Sequence, residues 1–132
     1  MLLLICGIPN AGKTTYSKRY DNVIHLDDMV GSNKFGQCNR IASAADGDAV
    51  VEGVYITKHR RKELLEACAD KSPKICVWLD APLEECIRRE RNYRKRPAFV
   101  VTSNHEMSQI PSLDEGWDKT VIVNSYSRKE NK

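Results

Sequence analysis

The residues Gly7-Ile8-Pro9-Asn10-Ala11-Gly12-Lys13-Thr14 fit the pattern G-x-x-x-x-G-K-[ST] at every position. Each fixed residue type has a chemical reason. The glycines let successive backbone N–H groups turn round an anion. Lys13 reaches the β- and γ-phosphates of a nucleotide, and the Thr14 hydroxyl ligates Mg²⁺. The positive end of a helix starting near Lys13 adds to the attraction. Gly7 to Thr15 are therefore expected to hold ATP or another nucleoside triphosphate together with Mg²⁺.

Binding a phosphate does not decide what becomes of it. Transfer to a hydroxyl needs one carboxylate close to the acceptor and a second that arranges the metal. Three acidic positions follow apolar runs: Asp27-Asp28 after Val-Ile-His-Leu, Glu52 after Ala-Val-Val, and Asp80 after Cys-Val-Trp-Leu. On an extended backbone adjacent side chains point to opposite faces, so Asp27 and Asp28 cannot both serve. Asp27 is expected to act as general base, with Asp28 structural or helix-capping. Glu52 is expected either on Mg²⁺ through water or on the acceptor. Asp80 begins Asp-Ala-Pro, a turn that opens a helix, and reads as a cap.

Residues 88–96 hold six basic groups in nine positions; the rest of the chain has 15 basic and 17 acidic residues, a net of −2. The positive charge is thus local, as a lid over a nucleotide requires. Arg91, Arg94 and Arg96 are candidates to stabilise charge on the transferred group, with Arg96 on the nucleotide. A second cluster, Lys58-His59-Arg60-Arg61-Lys62, suits an acceptor phosphate. His25 and His105 have no ligand or triad neighbours in sequence and read as structural or exposed.

These groups need elements to position them. Leu2–Cys6 is a continuous apolar run of strand length, the pattern of a strand buried on both faces of a parallel sheet. Further strands are expected at 23–26, 49–51, 75–79 and 121–123. Helices are expected at 13–20, in the second half of 32–46, at 57–69 and at 82–91. Thr57 reads as an N-cap and Pro82 sits in a first turn. A loose segment with a prolyl stop at Pro97 follows. This alternation predicts an α/β domain over residues 1–124, with a parallel sheet of about five strands and helices on both faces. Residues 125–132 read as a polar tail.

Composition removes other classes. A hydrophobic fraction of 41% without low-complexity tracts argues against disorder. A net charge of +3 is too small for a broad nucleic-acid footprint. No apolar run approaches the roughly 20 residues of a membrane span. The start Met-Leu-Leu-Leu-Ile-Cys lacks the basic region and cleavage site of a secretory signal. Five cysteines with no C-x-x-C pair offer neither a paired disulfide framework nor zinc spacing. The expectation is a cytoplasmic domain with buried thiols and no obligate protein partner.

Gly-Ile-Pro-Asn-Ala-Gly-Lys-Thr-Thr, His-Leu-Asp-Asp-Met, Val-Val-Glu-Gly-Val-Tyr and the basic segment together resemble the P-loop kinases that phosphorylate the 5′-hydroxyl of DNA or RNA. Pro111-Ser-Leu-Asp-Glu-Gly-Trp117 is similar to the Pro-x-Leu-x-Glu-Gly-aromatic stretch near the end of those domains. The resemblance implies a three-layer P-loop kinase sandwich with Lys13 and Thr14 in the phosphate loop. It implies Asp27 as general base, Glu52 where the family often has Asp, and Arg61 as a basic position toward the substrate. His25-Leu26 stands where the family has Asn-Arg. The implied reaction is ATP-dependent phosphorylation of a nucleic-acid 5′ end. A small-molecule kinase shares every residue that carries this chemistry. A nucleotide-binding regulatory module and a non-catalytic nucleic-acid binder are the alternatives from other classes.

Overall fold

The computed structural model describes residues 1–97 and 99–124, so the tail expected at 125–132 lies outside the described residues. Five strands, β1 (Leu2–Cys6), β2 (Ile24–His25), β3 (Ala49–Gly53), β4 (Lys74–Asp80) and β5 (Lys119–Asn124), form one sheet in the order β2-β3-β1-β4-β5. Every adjacent pair is parallel. All five residues of β1 are buried. Successive side chains leave a strand on opposite faces, so their complete burial means that both faces of the sheet are covered.

The covering helices are α1 (Lys13–Ser17), α2 (Lys34–Ala44), α3 (Lys58–Ala67), α4 (Leu83–Arg89) and α5 (Phe99–Met107). Helix α2 packs against α3, and α4 against α5. From β1 the chain runs outward to β2 on one side, while from β4 it runs to β5 on the other. Such a reversal opens a crevice between the carboxyl ends of two neighbouring strands, here β1 and β4. The loop after β1 lies there.

Several boundaries differ from the sequence expectation. Helix α1 stops at Ser17, and the chain continues to Tyr20 as turns held by Tyr20 N–H to the Ser17 carbonyl at 3.0 Å. Helix α2 begins at Lys34, earlier than expected. Helix α4 ends at Arg89 and widens into a π turn over Glu90–Arg94. The segment after Pro97 is not loose, because α5 occupies it. Its one buried residue is Val101, which left little apolar periodicity to detect. The Thr57 cap is present, with its side chain accepting from the Arg60 N–H at 3.2 Å. All five cysteines are buried with free thiols. No helix among the described residues is long and apolar enough to cross a membrane.

Candidate nucleotide and acceptor cleft

A cleft of about 640 Å³ opens at the carboxyl ends of the strands. Its floor is the loop between β1 and α1. Asn10 and Gly12 hold positive φ angles of 70° and 102°, which turn the loop back on itself. A Cβ on Gly7 would lie 2.9 Å from the Leu79 carbonyl oxygen, so only glycine lets the loop pack this closely on β4. Pro9, Asn10, Gly12, Lys13, Thr14 and Thr15 line the cleft, whereas Ile8 and Ala11 are buried beneath it.

Lys13 is 8% exposed and its Nζ donates to the Ile8 carbonyl at 2.8 Å. Burial pushes its pKa below the ordinary lysine value, and the nearby Glu52 and Asp27 carboxylates oppose that shift. The ammonium is thus desolvated within the turn, with the Glu52 and Asp27 carboxylates nearby. An anion arriving here meets a cation already stripped of much of its water.

Asp27 and Glu52 both line the cleft, and Asp28 does not. The expected strand alternation is not what separates the aspartates. After the two-residue β2 the chain enters a 3₁₀ turn over Leu26–Asp28, with Met29 N–H bonded to the Leu26 carbonyl at 3.0 Å. Buried Leu26 anchors that turn against β3. A Cβ on Gly53 would lie 2.6 Å from the Leu26 Cβ, so glycine at the end of β3 makes room for it.

Glu52 is buried, and its Oε1 lies 2.6 Å from His25 Nδ1. Sequence reasoning gave His25 no partner. The partner is 27 residues away and becomes visible only through the parallel register that sets His25 opposite Glu52. Among the described residues no group of three or more His, Cys, Asp and Glu gathers into a metal centre. A Thr hydroxyl, one carboxylate and phosphate oxygens are the hard donors that suit Mg²⁺, so the residues present fit that ion without such a cluster.

The lid needs a correction. Arg94 and Arg96 line the cleft, but Arg91 is exposed and does not; Arg89 and Tyr93 take its place. A residue two beyond Arg89 stands on the opposite side of a helix. The wider π turn instead brings the residues four and five beyond Arg89 over the same side. Arg89 is held by Glu85 at 2.8 Å and donates from Nη1 to the Asn10 carbonyl at 2.7 Å. Val123 and Asn124 at the end of β5, and Asn104 on α5, complete the wall.

Arg61 is the second correction: it is not a substrate contact. Its side chain is 0% exposed, and Nε and Nη2 donate to Glu115 at 2.8 and 2.9 Å. Nη1 donates to the Tyr55 carbonyl at 3.0 Å and Nη2 to that of Gln109 at 2.7 Å. Burial opposes the charge on Arg61, but Glu115 outweighs it and the pKa is raised. Arg61 shares the buried stripe of α3 with Leu64 and Leu65, so an ion pair fills a core position. Glu115 belongs to the Pro111–Trp117 stretch and also accepts from the Trp117 indole at 3.1 Å. Through Arg61, the Tyr55 end of Val-Val-Glu-Gly-Val-Tyr is thus tied to the Pro111–Trp117 stretch.

Arg61→Met should lower stability by about 3–5 kcal/mol, because Glu115 is left buried without its partner. Arg61→Met with Glu115→Leu should recover much of that loss in a denaturant titration. A single variant as stable as the unaltered protein would show that the pair holds nothing.

Neither a family model nor a curated protein sequence matches the chain. Solved structures do. Kti12 from Chaetomium thermophilum in complex with ADP-AlF3 aligns over 98% of this chain and 92% of its own, with a TM-score of 0.72 and 14% identity. A gluconokinase from Sinorhizobium meliloti aligns over 98% and 85%, with a TM-score of 0.73 and 13% identity. Shikimate kinase from Acinetobacter baumannii in complex with shikimate aligns over 98% and 87%, with a TM-score of 0.58 and 14% identity. At such identities the likeness concerns architecture, and that architecture is the α/β fold of P-loop kinases.

Proposed function

We propose that the protein transfers the γ-phosphoryl group of ATP to an alcohol, and that the alcohol is the 5′-hydroxyl of a DNA or RNA strand. The observation that carries the chemistry is the convergence of Asp27, Lys13 and two lid arginines on one cleft. Asp27 takes the proton from the acceptor hydroxyl as its oxygen bonds to phosphorus and the bond to the β-phosphate oxygen breaks. Lys13, Arg94 and Arg96 meet the charge spread over the transferring group. Mg²⁺, held through the Thr14 hydroxyl and through water on Glu52, would neutralise charge on the bound phosphates.

Two features support a polynucleotide acceptor. Residues 29–48, between β2 and β3, hold a single 11-residue helix, which leaves the acceptor side without a deep wall. Helix α3 begins just past the carboxyl end of β3 and exposes Lys58, Arg60 and Lys62, where trailing phosphates would run. The buried Arg61, which the resemblance placed toward the substrate, offers an acceptor phosphate nothing and so lends this reading no support.

The test offers labelled ATP and Mg²⁺ with 5′-hydroxyl oligonucleotides of increasing length, free nucleosides, nucleoside monophosphates and polyhydroxy acids. Oligonucleotides should be phosphorylated best, and added salt should raise their KM more than that of ATP, because each neutralised phosphate releases counterion. A nucleoside or polyhydroxy acid used equally well, with no salt effect, moves the protein to the small-molecule reading. Transfer to none of them removes the kinase reading.

A further inference from the structure

One acidic residue interrupts the basic lid, and it is not solvated. Glu90 is 2% exposed. It is the first residue of the π turn, and its carboxylate accepts from two different parts of the cleft. From the lid, Arg96 donates Nε at 2.9 Å, Nη2 at 2.6 Å and its backbone N–H at 2.8 Å. From the phosphate loop, Asn10 donates Nδ2 at 2.8 Å. The same Asn10 amide also donates to the Cys86 carbonyl at 3.2 Å, and the Asn10 carbonyl accepts from Arg89.

We infer that Glu90 is a positioning residue: it orients Arg96 toward the γ-phosphate and ties that arginine to the phosphate loop through Asn10. This rests on the donor site proposed above. A guanidinium carries five N–H bonds in a rigid plane. The fork to Glu90 uses the Nε edge, which fixes the plane and leaves the remaining N–H bonds on the other side. Arg96 lines the cleft with a side chain 36% exposed, so the fixed plane borders the phosphate site. Without Glu90 the arginine would be a long, freely rotating cation whose ordering falls on the moment of binding. The link to Asn10 matters as much. A lid carrying Arg96 alone would be set by its own helix, whereas here one carboxylate measures it against the loop that holds the same phosphates.

Glu90 is not itself an acid or base in the reaction. The Arg96 hydrogen bonds outweigh burial and hold its carboxyl at about 2, so it stays ionised wherever the protein works.

The test is titration calorimetry of ATP and of ADP with Mg²⁺, read as the ratio of their affinities, which does not depend on the acceptor. The unaltered protein should prefer ATP. Glu90→Gln presents an amide N–H₂ to Arg96, and should lower that preference roughly tenfold, the size of one charged hydrogen bond. In an Arg96→Ala background Glu90→Gln should change the ratio little, because its effect travels through that side chain. A Glu90→Gln protein that melts earlier but keeps its ratio, or losses that multiply independently in the double variant, overturns the inference and leaves Glu90 a strut. Arg96→Lys, which keeps the charge and cannot fork, should show the same loss even if Glu90→Gln does not fold; an unchanged ratio there also overturns it. An unaltered protein that binds both nucleotides equally overturns the inference while the nucleotide site stands. One that binds neither overturns the donor site, and the inference falls with it.

Discussion

Lys13→Ala is expected to abolish measurable phosphoryl transfer. The side chain is a desolvated cation in the turn of the phosphate loop, with Asp27 and Glu52 as its near charges. Removing an electrostatic contact of this kind costs about 3 kcal/mol or more of transition-state stabilisation, which is at least 100-fold in rate. The loop loses one internal bond as well, since the Ile8 carbonyl no longer receives the Nζ donor. That buried carbonyl costs about 1–3 kcal/mol, so a modest fall in melting temperature should accompany the loss of turnover. Circular dichroism separates the two effects. A folded variant with near-normal turnover would place the chemistry outside this loop.

Asp27→Asn should lower kcat by roughly 100-fold or more while leaving ATP affinity nearly unchanged. The substitution keeps the shape of the side chain and removes the proton acceptor. Asp28→Asn should be mild, because Asp28 lies on the same 3₁₀ turn but outside the cleft lining. The comparison is made at saturating ATP with the best acceptor. An essential Asp28 beside an unneeded Asp27 would reverse the two roles.

The sheet was readable in the sequence where burial was continuous. Leu2–Cys6, the Ala49 run and the Ile75 run are strands because central parallel strands must be apolar on both faces. The loop after β1 was equally plain, since residues 7–14 fit G-x-x-x-x-G-K-[ST] at every position. Helix α5 was not, because it buries one residue and presents no apolar stripe. The last strand was read only over its apolar centre at 121–123, since β5 begins with Lys119 and Thr120. Asp27 was favoured over Asp28 on an argument from extended backbone, yet a tight turn is what separates them.

Long-range pairing was invisible for a different reason. His25 and Glu52 meet through strand register, Arg61 and Glu115 across 54 residues, and Asn10 and Glu90 across 80. Local sequence assigns a charged side chain to solvent or to a ligand. It has no means of showing that an opposite charge folds onto it. Arg61 and Glu90 both sat in basic runs, and in both cases the run concealed one residue that the core had claimed. The partner of Arg61 was already present in a recognised motif, but as an unexplained glutamate.

The brevity of β2 has a consequence for how this protein behaves in a crowded solution. Ile24–His25 is the outermost strand on its side and pairs at only two positions. An exposed sheet margin ordinarily offers a row of unpaired N–H and C=O groups on which a foreign strand can add. Here the row ends after two residues, because the chain turns away to carry Asp27 into the cleft. A foreign strand would find almost no ladder to extend. The bend that delivers the carboxylate therefore also protects this margin against edge-to-edge aggregation, without the lysines, prolines or bulges that longer marginal strands require.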